Sequence, residues 1–304
     1  EPDYCSGMYC DFRTYQCPDK AEGVRRSMKN IKSLKRLPLY CLILLVAVIQ
    51  TYPILWIFLS SIKPSQEHLM NPPYALPTAP TLANYVSLLD SMIPTYFKNS
   101  VVVAAITLTG IVVLGALAAY PLSKMQFRGR TLVRNFFMLG IMIPIFVSLV
   151  PMFGVYNRLG LKNTYWSLII PQVGFAIPMA MYLYIGFLDQ IPDALIEAAY
   201  MDGAGSFRIF LEIIVPLLHN AIATIAIFEF VFVWNEFTFA NTFISTSAMK
   251  TVPVGLNDFI NNFGLRDWGL TFAAVSVTVL PTLIVFFILN KQVMAGMTAG
   301  AVKS

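Results

Sequence analysis

Polar positions are spaced far apart along this chain. Leu37–Ile62 runs for 26 residues without a charged side chain, Asn99–Ser123 for 25, Asn135–Asn157 for 23, Asn163–Leu188 for 26 and Trp268–Asn290 for 23. A helix crosses a bilayer with about 20 mostly apolar residues, so each run predicts a transmembrane helix. Ile213–Phe228 is charge-free for only 16 residues, but apolar sequence resumes after Glu229 as Phe230-Val231-Phe232-Val233-Trp234. That pattern predicts one more span, carrying a carboxylate. Lipid accepts only helices and closed barrels, and none of these runs alternates as a barrel strand does. The fold class predicted is therefore all-α, a polytopic membrane protein with six transmembrane helices. Trp166 and Trp268 stand at predicted span starts, where an indole anchors at the interface.

Composition supports the same picture. The 304 residues are 57% hydrophobic and 12% charged, against about 25% charged in soluble domains. This excludes a soluble enzyme, a disordered chain and a fibrous one. The net charge of +5 is too dilute to suggest nucleic-acid binding. The placement of Lys and Arg is more informative. With six spans, both termini share a side, and that side holds 15 of the 21 basic residues. Basic loops stay inside, so both termini are predicted to be cytoplasmic.

Three regions follow: a cytoplasmic N-terminal tail (1–36), a six-helix permease domain (37–290) and a cytoplasmic C-terminal tail (291–304). The first span is too long for a signal peptide and no small-residue cleavage site follows it. The N-terminal tail shows no helical or strand period. Met28-Lys29-Asn30-Ile31-Lys32 resembles a start before a first membrane helix, so residues 1–27 are expected to be a dispensable or misassigned extension. Cys5, Cys10 and Cys17 lie in this tail, on the reducing side, so disulfides are not expected. Their spacing has no second half and predicts no zinc site. His68 and His219 are far apart and sit in no ligand motif.

One connection stands out. Residues 189–216 read as two short helices outside the membrane. Pro192 and Asp193 suit a first helical turn. Good helix formers continue to Met201. Gly203 and Gly205 end that helix in left-handed caps. Ser206 fits the N-cap of the second helix, and Pro216 marks its junction with span five. Tyr200, Met201, Phe207, Ile209, Phe210 and Leu211 would leave apolar surface facing water. Such a patch marks a partner site, unless the two helices simply pack beneath their own membrane helices.

The run Glu197-Ala198-Ala199, Asp202-Gly203-Ala204, Ile213 and Pro216 resembles the EAA loop of bacterial ABC importer permeases, with Val215 in place of the usual Leu. Other segments are similar to the carbohydrate-uptake, maltose-type branch. They are Ser61-Ile62-Lys63, Asn84-Tyr85, Asn99-Ser100, the stretch from Ala119 to Arg130, Trp234-Asn235-Glu236-Phe237, and Gly296 to Lys303. The resemblance covers about residue 38 to 304. It implies that the loop sits in a cleft of a separate ATPase subunit. Glu197 would pair with a basic group there, Gly203 would permit the bend, and Ala198, Ala199 and Asp202 would belong to the same contact. It also implies secondary ATPase contacts at Thr298, Ala299 and Gly300.

No G-x-x-x-x-G-K-[ST] loop occurs in the sequence, so ATP is expected to be bound by a partner and this chain to be a transport subunit, not an enzyme. Gly110, Gly115 and Gly140 lie inside spans, where glycine allows close helix packing. Within span five, a carboxylate at bilayer depth costs on the order of 3 kcal/mol, so Glu229 is expected to face a polar path or a neighbouring helix. Glu236 is seven residues on, about 10 Å along the same helical face. It either lines that path or is solvated near the external interface. Glu229, Phe232, Trp234, Asn235 and Glu236 are the candidate substrate path, since aromatic rings stack on sugar faces and carboxylates accept hydroxyl hydrogen bonds.

The function expected is the permease subunit of an ATP-driven importer for a sugar or oligosaccharide, in a bacterial inner (plasma) membrane. Its expected partners are a second, related permease chain, two ATPase subunits, an extracellular or periplasmic solute-binding protein and membrane lipid. The alternative is an ion-coupled secondary transporter, which would show carboxylates in two repeated, broken helices.

Overall fold

The computed structural model describes residues 18–259 and 267–301, with side chains for 38–259 and 267–288. Cys5, Cys10 and Cys17 lie outside the described residues, as does most of the stretch read as an extension (1–27). Two units are distinguished, residues 1–56 and 57–304.

The first unit contains most of helix α1 (Pro18–Ser61). Leu39, Leu42, Ile43, Leu44, Leu45 and Ile49 are all exposed along it. A helix apolar on every side suits a surrounding of lipid. The helix begins well before the apolar run at Leu37, in a tail whose pattern showed no period. Lys20-Ala21-Glu22 and the following Arg and Lys residues are good helix formers, and they sustain a helix that has no apolar stripe to reveal it.

The second unit continues through α2 (Ser65–Met70), α3 (Ala83–Leu89), α4 (Ile93–Lys124), α5 (Arg130–Gly140), α6 (Ile145–Leu159), α7 (Trp166–Leu188) and α8 (Asp193–Met201). It ends with α9 (Ser206–Leu217), α10 (His219–Trp234), α11 (Thr238–Phe243), α12 (Val252–Gly255) and α13 (Trp268–Ala301). Helices α4 and α7 run parallel in close contact, and α10 packs on both α13 and α4. The close approach comes from small residues. A Cβ on Gly110 would lie 3.0 Å from Val173 Cγ2, and one on Gly115 would lie 3.1 Å from Ala180 Cβ. This is the role expected of those glycines.

Among the described residues, four helices are long and apolar enough to cross a membrane unbroken. Two of the six predicted spans are bent pairs. The span expected over Asn135–Asn157 is α5 and α6 at 95°. Pro144 explains the break: proline pushes the residue before it out of the helical region, so Ile141–Ile143 form a turn and α6 starts afresh. The span expected from Ile213 to Trp234 is α9 and α10 at 73°. Pro216 has no N–H for the Glu212 carbonyl. A turn of π-helix over Phe210–Ile214 precedes it, and the bend falls at Leu218.

Candidate functional site

The connection from α7 to α10 builds a compact corner. Helix α7 ends at Leu188 with Asp189 as its C-cap, and α8 starts at Asp193 with Pro192 before it. Ile196 and Ala199 are one turn apart and point into the main core, beside Tyr120, Leu122 and Phe210. The rest of α8 is outward: Leu195, Glu197, Ala198, Tyr200, Met201 and Asp202 are exposed. Met201 is 87% exposed and Phe207 67%. Leu211 is also exposed. Of the six apolar residues expected on this surface, Tyr200, Met201, Phe207 and Leu211 are there. Ile209 and Phe210 are buried. The reason is helical: α9 turns one side to the core, and Phe210 packs on Tyr120 with ring centroids 5.3 Å apart.

The turn itself differs from expectation in two details. Gly203 has φ +81° and open space around it, so its backbone conformation, not crowding, calls for glycine. Gly205 is extended at φ −74° and ψ 158°, and it occupies the N-cap of α9. Ser206 is already inside the helix, and its hydroxyl is hydrogen-bonded to Tyr200 Oη at 2.9 Å. Only one of the two glycines is therefore left-handed, and the serine is not the cap.

The residues proposed for a substrate path differ in burial and in partners. Glu229 is buried (5% exposed) in line with Ala221, Ile225 and Val233. Among the described residues no hydrogen bond or ion pair reaches its carboxylate. Phe232, three residues on and therefore a neighbour of Glu229 on the helix surface, is exposed. Trp234 is buried as a packing residue. Its ring lies edge-on to Phe97 and stacks on Phe230, and its Nε1–H donates to Thr278 O at 3.0 Å. The helix stops at Trp234, so Glu236 does not lie on a shared helical face with Glu229. Glu236 instead accepts from the backbone N–H groups of Phe239 (2.6 Å) and Ala240 (3.1 Å) and caps α11. Asn235 is exposed and donates back to Val231 O. Thr298, Ala299 and Gly300 belong to the last turns of α13, which continues past the apolar run to Ala301. Among the described residues, no cluster of His, Cys, Asp or Glu could hold a metal ion.

The chain matches known proteins in sequence and in fold. Residues 111–298 match the family of binding-protein-dependent transport system inner membrane components. A probable ABC transporter permease protein of Bacillus subtilis, YurM, is 33% identical over 292 residues, 96% of this chain and 97% of that one. The chain belongs to this permease family. The trehalose/maltose transport system permease protein MalG of Thermococcus litoralis is 34% identical over 274 residues, 89% of this chain and 98% of that one. A crystal structure of a bacterial ABC transporter for import of the acidic polysaccharide alginate has the same fold. Its TM-score is 0.72, at 21% identity, over 91% of this chain and 98% of that one.

The permease is accordingly a multi-pass inner-membrane transport subunit. Nothing among these relatives supports an ion-coupled transporter. The structure also gives a place to the short segments that resembled the family in sequence. Asn84 Nδ2 donates to Ser61 O (2.8 Å) and Lys63 O (2.7 Å), and Tyr85 Oη is hydrogen-bonded to Ser61 and to Ser276. Asn99 and Ser100 hold the connection over residues 248–252. Ser123 and Lys124 hold the base of α8. Sequence reasoning picked out these pairs but not their work. Buried amides and hydroxyls next to apolar runs were the available signal, because such groups require partners.

Proposed function

We propose that this permease is the membrane-spanning subunit of an ATP-driven importer for a sugar or oligosaccharide, and that its α8–α9 corner couples it to a separate ATPase subunit. The observation that carries this reading is the corner: an exposed apolar surface around Met201 and Phe207, with Glu197 beside it, hinged on a left-handed glycine. Exposed apolar surface of this kind fits a protein partner. Glu197 pairs with a basic group of the ATPase, Ala198 and Asp202 share the contact, and Ala199 seats the helix against the core. The relatives named for trehalose and maltose support a sugar as cargo.

Both termini face the cytoplasm, as the basic residues direct. Thr298, Ala299 and Gly300 then extend α13 toward the ATPase dimer. Two ATPase subunits bind ATP, a second permease chain completes the path, and a solute-binding protein delivers the substrate from outside. Glu229 supplies a polar group inside the span, where an intramembrane carboxylate is functional by default. ATP binding closes the ATPase pair and levers the corners, and the path alternates between its two openings.

Co-purification tests the reading. An affinity-tagged permease should bring down its ATPase subunit. Glu197→Lys and Gly203→Pro should abolish binding-protein-stimulated ATP hydrolysis and uptake while the protein stays in the membrane. Wild-type uptake in both variants would overturn it.

A further inference from the structure

The stretch from Ala119 to Arg130 lies outside the ATPase contact proposed above, yet it converges on the corner. Lys124, the last residue of α4, is 6% exposed along its side chain. Its Nζ donates to Asp193 Oδ1 at 2.6 Å and to Ile191 O at 2.6 Å. Ser123 Oγ donates to Asp189 Oδ1 at 2.8 Å. Arg130, opening α5, donates from Nε to Leu122 O (2.8 Å) and from Nη2 to Ser123 O (2.6 Å). These last are carbonyls that the end of α4 leaves without helical partners. Three side chains therefore tie the end of α4 to the end of α7, the base of α8 and the start of α5.

We infer that Lys124 is a positioning residue that passes displacement of α8 into α4. The inference rests on the proposed coupling role of α8. The chain leaves α8 in two directions. Forward, it passes Gly203, left-handed and surrounded by open space, and then the extended Gly205. That connection is soft. Backward, it passes Pro192, whose φ is fixed, and the two carbonyl and carboxylate groups that Lys124 holds. That connection is stiff. Lys124 is not adjacent to α8 in sequence, so its bonds are a second route into the membrane helices. The route ends in α4, which the Gly110 and Gly115 approaches lock against α7. A push on α8 moves α4 and α7 together, while α9 and α10 turn about their own bends.

The test uses the assembled transporter in proteoliposomes and reads substrate imported per ATP hydrolysed. Lys124→Met should keep the ATPase bound and its binding-protein-stimulated hydrolysis within about twofold, while import per ATP falls at least about fivefold. Lys124→Arg, which keeps a cation able to donate to both Asp193 and the Ile191 carbonyl, should hold that ratio near the wild-type value. If Lys124→Met does not fold, Asp193→Asn serves instead, because Asp193 is 75% exposed and its loss leaves no buried charge on its own side. An unchanged ratio in Lys124→Met or its Asp193→Asn substitute, or import and hydrolysis falling in proportion, would overturn the inference. Absence of the ATPase from the wild-type complex would instead overturn the coupling reading on which it rests.

Discussion

Tyr165 donates its hydroxyl to Asn99 Oδ1 at 2.7 Å. The bond orients the amide so that Nδ2 donates to Ala248 O and Lys250 O, each at 2.9 Å. One buried side chain on α4 thus fastens the start of α7 and the connection before α12. Asn99→Ala leaves a hydroxyl and two carbonyls short of partners, at about 1–3 kcal/mol. Thermal unfolding in detergent should show the loss. Tyr165→Phe should cost less, and the two changes should be non-additive because they share one network.

Gly203 offers a cleaner backbone test. A Cβ there meets nothing within 4 Å, and the strain comes from φ alone. Gly203→Ala should cost about 1–2 kcal/mol in the local turn. Gly203→Asn should be nearer wild type, since Asn tolerates this region. Uptake should therefore rank glycine, asparagine, alanine, valine, with membrane levels unchanged. An uptake loss equal for asparagine and valine would mean that side-chain contact with a partner matters more than φ.

Gly255 is the opposite case. A Cβ there would run into the Tyr96 ring. The Tyr96 ring is held by its hydroxyl, which donates to Asp258, while Lys250 Nζ pairs with the same carboxylate at 2.5 Å. The ring cannot shift without breaking these bonds. Gly255→Ala should destabilise by about 1–3 kcal/mol, the usual cost of overpacking, and Tyr96→Ala should relieve part of it. A fluorescence melt of both single variants and the double variant measures this.

His68 gives a pH dependence. It lies on α2, hydrogen-bonded to Ser60 O at 3.1 Å and stacked on Phe272. Burial disfavours its charged form and lowers its pKa below 6.5, partly offset by the Ser60 carbonyl. A lowered folded pKa means that the unfolded chain binds more protons below pH 6.5. Stability from this site is complete above that pH and declines as pH falls through the folded value. His68→Gln should flatten the decline in the melting temperature below pH 6.5. An equally steep decline in the variant would remove His68 from the explanation.

Much of this was legible in the sequence because apolar length is a direct demand of the bilayer. The four unbroken spans follow from it, while the exposed Met201 followed from the apolar residues in a polar connection. The bent spans were less legible. Pro216 was read as the junction with span five and lies two residues before the bend at Leu218, but Pro144 was not read as a break, because proline is tolerated inside membrane helices, as Pro171 and Pro178 are within α7. The candidate path was read from helical spacing across a helix end. Glu236 lies beyond that end, and the spacing argument stopped applying at Trp234. The ties of Ser123 and Lys124 to α8 were illegible because they join residues more than sixty positions apart.

Cross-linking tests the coupling corner most directly. Met201→Cys, at the most exposed point of the corner, should form a nucleotide-dependent cross-link to the ATPase subunit in native membranes. Phe146→Cys, at another exposed apolar position, on α6, should form none. A cross-link from Phe146→Cys and not from Met201→Cys would contradict the assignment of α8 and α9 as the site where this permease meets its ATPase.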